Sequence, residues 1–129
     1  MKKVLVIEDD LHIRENTVEL LELYQFRVLT ASCGLSGYES AKRNMPDLII
    51  CDMMMAGKDA ELFLCLASGD ELLNAIPLIL FTADSGTREV NKRPAAGSDR
   101  YLQKPFSEED LLHSIKASLD EKKKREFPS

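Results

Sequence analysis

Five short, mostly apolar segments recur along this 129-residue chain, and longer segments with helical spacing of apolar residues separate them. A run of four to eight apolar residues closed by turn residues is typical of a strand buried in a parallel sheet. The segments are KVLVI (3–7), FRVLTA (26–31), DLIIC (47–51), IPLILFT (76–82) and RYLQ (100–103). Strands alternating with helices predict an α/β fold with a parallel sheet, for which right-handed crossovers leave few topologies.

The segments between the strands predict helices. Apolar residues at helical spacing are Ile13, Thr17, Leu20, Leu21 and Tyr24 in the first, Leu35, Tyr38, Ala41 and Met45 in the second, Leu62, Phe63 and Leu66 in the third, and Leu111, Leu112, Ile115 and Leu119 in the last. Asp10 and Ser107 are suited to cap the first and last helices. Between the fourth and fifth strands we expect a short helix over 86–93, ended by Pro94.

Length and charge limit the classes of protein that this chain can belong to. Its size predicts one domain, over residues 1–121, followed by a charged tail or linker over 122–129. A net charge of −5 and a pI of about 5.1 argue against direct binding of nucleic acid. No segment is long and apolar enough to span a membrane. The three cysteines lack zinc-site spacing, which favours a reduced, cytoplasmic setting.

Polar residues follow the predicted strands at the ends where parallel strands meet. They are Glu8, Asp9 and Asp10 after the first strand, Asp52 after the third, Thr82 at the end of the fourth and Lys104 after the fifth. In open α/β sheets the functional crevice lies at these carboxyl ends. We therefore expect several carboxylates, a hydroxyl and an ammonium to share one crevice.

That combination has a chemical logic. Clustered carboxylates repel one another unless a cation is present, and Mg²⁺ binds a few carboxylates while keeping waters for an incoming phosphate. An aspartate in such a site can attack phosphorus and form an aspartyl phosphate. The metal and a lysine would neutralise charge on the phosphoryl oxygens. An aspartate in the position of Asp52 is usually a turn or helix-cap residue, and a lysine such as Lys104 usually lies on the surface without a catalytic role. Only the combination of these residues at the strand ends favours a phosphoryl-transfer site.

Four motifs in their order and spacing, VLVIEDD, PDLIICDMMM, IPLILFTA and GSDRYLQKPF, resemble a response regulator receiver domain of bacterial two-component signalling. The resemblance covers residues 2 to about 121. It implies a doubly wound, flavodoxin-like (CheY-like) sheet of five parallel strands in the order 2-1-3-4-5. It also implies that Asp52 is the phospho-acceptor, and that Glu8, Asp9, Asp52 and the backbone carbonyl of Met54 bind Mg²⁺.

The resemblance assigns the remaining site residues as well. Thr82 is similar to the switch hydroxyl of the family and Lys104 to its phosphate-contacting lysine. The peptide bond between Lys104 and Pro105 is expected to be cis. Tyr101 stands at the aromatic switch position, where the ring turns inward when the hydroxyl moves toward the phosphoryl group.

The resemblance also implies partners. The phosphoryl donor would be a phosphohistidine on a sensor histidine kinase or phosphotransfer protein, docked against the first helix, from Leu11 to about Leu23. The chain would be no enzyme beyond catalysing its own phosphorylation and dephosphorylation. Its output would come from a downstream protein or from an output domain on a longer chain.

Two departures and two alternatives accompany this hypothesis. Ala56 and Ala60 stand where the family usually has proline and glycine, so the loop after the phospho-acceptor would differ in shape. One alternative is a pseudo-receiver, an interaction module that is never phosphorylated. The other is a haloacid-dehalogenase-like phosphatase. That class requires an Asp at the position of Met54, and it usually has a cap domain, for which this chain has no room.

Overall fold

The computed structural model describes residues 1–82 and 100–126, and the side chains of 1–82 and 101–120. The strands are β1 (Lys3–Ile7), β2 (Arg27–Ala31), β3 (Leu48–Asp52), β4 (Leu78–Thr82) and β5 (Arg100–Gln103). The helices in this part of the chain are α1 (Leu11–Leu23), α2 (Gly34–Asn44), α3 (Asp59–Ser68), α4 (Glu71–Asn74) and α5 (Glu108–Glu126). The helix expected over 86–93 lies outside the described residues.

The five strands form one parallel sheet in the order β2-β1-β3-β4-β5. This confirms the fold class and the strand order that the family resemblance implied. β3 lies between β1 and β4, with Cys51 beside Ile7 and Asp52 beside Phe81. The carboxyl ends of the three central strands therefore meet at one edge of the sheet.

Apolar side chains of the central strands are buried on both faces of the sheet. Leu5, Ile7, Ile49 and Cys51 pack with Ala41 of α2 and Phe63 of α3 on one face. Val4, Val6 and Ile50 pack with Leu21 of α1 and Ile115 of α5 on the other. Burial on both faces explains why these strands read as continuous apolar runs rather than as alternating ones.

The packing face of α2 agrees with the predicted one at Tyr38 and Ala41, which pack against the core, but not at Leu35 and Met45. Leu35 and Met45 are 51% and 41% exposed, and the buried residues of the helix are Gly34, Gly37 and Ala41. A Cβ atom built on Gly37 would lie 2.5 Å from Cδ1 of Ile7. The helix thus approaches the sheet too closely for a side chain at position 37, and Leu35 and Met45 lie toward solvent.

Both predicted helix caps are confirmed. The Asp10 carboxylate accepts a hydrogen bond from the backbone N–H of Ile13 at 3.0 Å. The Ser107 hydroxyl accepts from the N–H of Asp110 at 3.0 Å, and the Asp110 carboxylate accepts from the N–H of Ser107 at 3.2 Å. These caps satisfy N–H groups that have no partner within their helix.

The last helix, α5, continues to Glu126 and so runs through the start of the predicted tail. A domain boundary at residue 121 stays a prediction. None of the helices in the described segments has the length and apolar character needed to cross a bilayer.

Candidate functional site at the carboxyl edge of the sheet

Asp52 is the final residue of β3, not the first residue beyond it as the sequence predicted. The backbone ladder continues past it, because the N–H of Met53 donates to the carbonyl of Phe81 at 2.9 Å. Asp52 is only 3% exposed. A carboxylate buried this far costs free energy unless it is paired or hydrogen-bonded, so its surroundings decide what it can do.

Glu8, Asp9 and Asp52 bring carboxylate oxygens to within 4.8 Å of one another. Glu8 is as buried as Asp52, whereas Asp9 is exposed. The Oε1 atom of Glu8 is buried and accepts no hydrogen bond from a described residue. The predicted acidic cluster is thus assembled from the ends of the two central strands β1 and β3.

The position of Glu8 is held by its backbone. Its N–H donates to the carbonyl of Ala31 at 3.0 Å, and its own carbonyl accepts from the guanidinium of Arg14 at 2.8 Å. Its Oε2 accepts from the N–H of Asp10 at 3.2 Å. Sequence analysis did not single out Arg14, because nothing in its spacing shows that α1 directs it back to the end of β1.

The pKa of Glu8 is raised from 4.5 to about 8 in the metal-free protein. Burial is the largest cause, followed by a side-chain hydrogen bond with Asp52 and repulsion by its charge. Backbone donation from Asp10 and the charge of Lys104 act in the opposite direction but are smaller. The protonated form of the Glu8 carboxyl group is therefore favoured at neutral pH.

Lys104 brings an ammonium group to the same edge. Its Nζ lies 3.5 Å from Oδ1 of Asp52 and 3.9 Å from Oε1 of Glu8. The backbone N–H of Lys104 donates to the carbonyl of Thr82 at 2.7 Å, which ties the end of β5 to the end of β4. The peptide bond between Lys104 and Pro105 is cis, as expected.

The two expected switch residues lie on β4 and β5. Thr82 is the last residue of β4 and is buried, one position after the partner of Asp52. Tyr101 lies on β5 beside Leu80, and its side chain is 41% exposed. In this structure Tyr101 is thus partly in solvent while Thr82 is enclosed by the sheet.

The loop after β3 is held by two backbone donors. The N–H of Met54 donates to Oδ1 of Asp52 at 3.0 Å, and the N–H of Ala56 donates to Oδ2 of Asp9 at 3.1 Å. A proline at position 56 would lack that second donor. The departure at Ala56 therefore adds a bond between the loop and the acidic cluster, a role that sequence analysis missed.

The donor set suits a hard divalent cation. Glu8, Asp9 and Asp52 each offer a carboxylate oxygen, the kind of ligand that Mg²⁺ prefers over nitrogen or sulfur. The buried Oε1 of Glu8 accepts no hydrogen bond from a described residue, so it is an oxygen that a cation could use. The residues present therefore fit the Mg²⁺ that the family resemblance implies.

Comparison with known proteins identifies the family. Residues 4–116 match the response regulator receiver domain. PilG of Pseudomonas aeruginosa is 34% identical over 117 residues, which make up 91% of this chain and 87% of PilG. The transcriptional regulatory protein CseB of Streptomyces avermitilis is 38% identical over 116 residues, which make up 90% of this chain and 48% of CseB.

Solved structures agree. The crystal structure of a response regulator receiver domain protein from Clostridium thermocellum superposes with a TM-score of 0.79 at 27% identity, covering 95% of this chain and 98% of that one. The chain spans nearly all of PilG but only about half of CseB, so a relative's complete activity does not transfer with the match. This chain belongs to the response regulator receiver domain family.

Proposed function

We propose that Asp52 accepts a phosphoryl group from a phosphohistidine on a sensor histidine kinase or phosphotransfer protein. The observation that carries the proposal is the buried Asp52 carboxylate, clustered with Glu8 and Asp9 and 3.5 Å from the Lys104 ammonium. A carboxylate oxygen of Asp52 attacks phosphorus and an O–P bond forms. The N–P bond of the donor breaks, and its electron pair returns to the imidazole nitrogen.

Lys104 and Thr82 act on the transferred group. The lysine ammonium, already within 4 Å of both buried carboxylates, would form an ion pair with a phosphoryl oxygen. The Thr82 hydroxyl, at the end of the neighbouring strand, would donate a hydrogen bond to another. Both interactions stabilise negative charge that is absent before transfer.

Mg²⁺ would be held by Glu8, Asp9, Asp52 and the backbone carbonyl of Met54. When bound, it neutralises the clustered carboxylates and polarises the phosphoryl oxygens. Glu8 must then give up its proton, and Asp9 keeps the loop in place through its bond from Ala56. Met54 already lies next to Asp52 through its own N–H, which supports its carbonyl as a further ligand.

Phosphorylation would shift a pre-existing conformational equilibrium. Thr82 would move toward the phosphoryl group, and the partly exposed ring of Tyr101 would turn into the space behind it. The surface around β5 would change, and a downstream protein or an output domain would read that change. The domain thus acts as a phospho-acceptor, not as an enzyme on a separate substrate. Its cytoplasmic location stays a prediction from the sequence.

The test is phosphorylation by a small-molecule phosphodonor such as acetyl phosphate with Mg²⁺, followed by intact-mass spectrometry. We expect one phosphoryl group on the wild type and none on Asp52→Asn. The matched control is Asp47→Asn, the same change beside the other end of β3, where an amide oxygen can still accept from the N–H of Lys3. Labelling of Asp52→Asn at the wild-type level, with an unchanged melting curve, would contradict the assignment.

The pseudo-receiver alternative predicts a different result. Such a module would take up no phosphoryl group and would show no Mg²⁺-dependent response to beryllofluoride, a mimic of the phosphoryl group. If the wild type stays unlabelled while its fold is intact, the pseudo-receiver becomes the better hypothesis.

A further inference from the structure

A second polar cleft lies on the opposite side of β1 from Asp52, at the carboxyl end of the edge strand β2, with residues of α1 and α2 on either side. It measures about 320 Å³ and is lined by Arg14, Thr30, Ser32, Ser36, Ser40 and Arg43. The lining comes from three elements of the fold, and it contains two guanidinium groups and four hydroxyls but no carboxylate. The chain as a whole has a net charge of −5, so the local positive charge of this cleft is opposite in sign to the charge of the molecule.

The cleft keeps hydrogen-bond donors that are not used within the fold, although the Ser36 hydroxyl already donates to the Cys33 carbonyl at 3.2 Å and one guanidinium nitrogen of Arg14 donates to the Glu8 carbonyl at 2.8 Å. Ser36, Ser40 and Arg43 lie on one side of α2, at positions i, i+4 and i+7. The Ser40 hydroxyl accepts from the Asn44 amide at 3.2 Å, which leaves its own proton free to donate. Within the described part of the chain, neither Arg14 nor Arg43 forms an ion pair with a carboxylate. The cleft therefore offers positive charge and donors without a protein anion to occupy them.

The neighbouring cleft limits where an anion could bind. It shares Arg14 and Thr30 with the first but is lined on its far side by Glu15 and Glu19. Those carboxylates repel an anion, so binding is confined to the end formed by the hydroxyls and Arg43. Planar guanidinium groups match the oxygens of phosphate in pairs, and hydroxyl donors suit the remaining oxygens.

We propose that this cleft binds a small phosphate-bearing anion, either inorganic phosphate or a phosphate monoester. Its volume is at the lower end of the range for small-molecule sites, which fits a ligand of this size. This second site is separate from the phosphorylation site and does not depend on Asp52.

The cleft is coupled to the acidic cluster through the backbone of Glu8. Ala31, which also lines the cleft, accepts from the Glu8 N–H, and Arg14 donates to the Glu8 carbonyl. An anion that draws Arg14 toward itself therefore acts on both backbone bonds that hold a proposed metal ligand. Occupancy of the cleft would change the affinity of the acidic cluster for its cation, and the effect is reciprocal.

The test is a titration with inorganic phosphate and, separately, with glycerol 3-phosphate, followed by amide NMR in the absence of divalent metal. We expect saturable shifts at Ser32, Ser36 and Ser40, with a further shift at the Glu8 amide. Arg43→Gln should weaken binding at least tenfold. Arg27→Gln removes the same charge from an exposed position at the start of β2 and should change affinity less than twofold. The tighter of the two probes identifies the source of the phosphate group.

Three results would overturn the proposal. They are the absence of saturable shifts in the wild type, equal weakening by Arg43→Gln and Arg27→Gln, and shifts confined to the loop after Asp52. An unmoved Glu8 amide at saturation would overturn the coupling. Repeating the titration with Asp52→Asn separates the two sites, because that variant should bind phosphate at the cleft as the wild type does.

Discussion

The carboxyl group of Glu8 shows how much one buried residue governs this site. Glu8 comes directly after β1 and is buried like a core residue, yet its Oε1 accepts no hydrogen bond from a described residue and its pKa is raised to about 8. Lys104, 3.9 Å away, lowers the pKa of Glu8, but burial and the nearby Asp52 carboxylate outweigh it. A pKa of about 8 makes the charge of Glu8 sensitive to pH near neutrality.

We predict that the metal-free protein loses stability as the pH rises. The pKa of Glu8 is 4.5 when unfolded and about 8 when folded, so the folded state binds more protons between these values. The stabilising contribution is complete below about pH 4.5 and is lost as the pH rises through about 8, with a slope of at most about 1.4 kcal/mol per pH unit.

The measurement is urea unfolding in a metal chelator at a series of pH values. Glu8→Gln keeps an uncharged side chain of similar size and should lack this part of the pH dependence. The free energy of unfolding of the wild type minus that of Glu8→Gln should therefore fall between about pH 5 and about pH 8. A difference that does not change with pH would show that Glu8 is ionised throughout.

At the scale of elements, the close approach of α2 to its neighbours positions the loop next to the acidic cluster. A Cβ atom built on Gly34 would collide with the backbone oxygen of Asp59, the first residue of α3. Gly34 therefore sets the separation of α2 and α3. Since α3 follows the loop that carries Met54 and Ala56, that separation also affects the site.

We predict that Gly34→Ala destabilises the protein by about 1–3 kcal/mol, because the new methyl group meets backbone that cannot rotate away. Gly69→Ala is the matched control: the nearest atoms to its added methyl lie at 3.7 and 3.8 Å. Alanine there should be neutral or slightly stabilising. Thermal and urea unfolding of both variants measure the difference; equal stabilities would mean that α2 and α3 can move apart at no cost.

The elements that could be predicted are those with a strong repeating pattern. β1, β3 and β4 carry unbroken apolar runs, so their existence and burial followed from the sequence. The predicted third strand ended at Cys51, because a charged residue normally ends a buried apolar run, whereas β3 includes Asp52. The four-residue α4, Glu71–Asn74, is too short to show a period, and the small residues of α2 concealed which of its faces is buried.

The site was predictable to the same extent and for related reasons. Parallel strands end at one edge, so the convergence of Glu8, Asp9 and Asp52 could be inferred without coordinates. The bonds from Arg14 and Ala56 could not, because they depend on the angle at which α1 leaves β1 and on the path of one loop. Such geometry has no signature in residue type or spacing.

At the scale of the whole molecule, a cation at the acidic cluster should stabilise the entire domain, because the cluster exists only when β1 and β3 are paired. We predict that Mg²⁺ at about 100 times its dissociation constant raises the free energy of unfolding by about 2.7 kcal/mol. Calorimetry with and without Mg²⁺ measures this gain.

Asp9→Asn should lose most of that gain. The control is Asp10→Asn, which changes the next residue in the chain and leaves a side chain that caps α1 equally well. If Asp9→Asn and the wild type gained equally from Mg²⁺, the cation would have to bind elsewhere.

The strand order has a consequence for how the chain can be made. β2 pairs with β1, then β3 adds to the open side of β1, β4 to β3 and β5 to β4. No strand has to enter between two that are already joined. A ribosome delivers the amino terminus first, so each strand can find its place as it emerges. Asp9, just after β1, and Asp52, at the end of β3, would be neighbours before the segment that carries Lys104 has been synthesised.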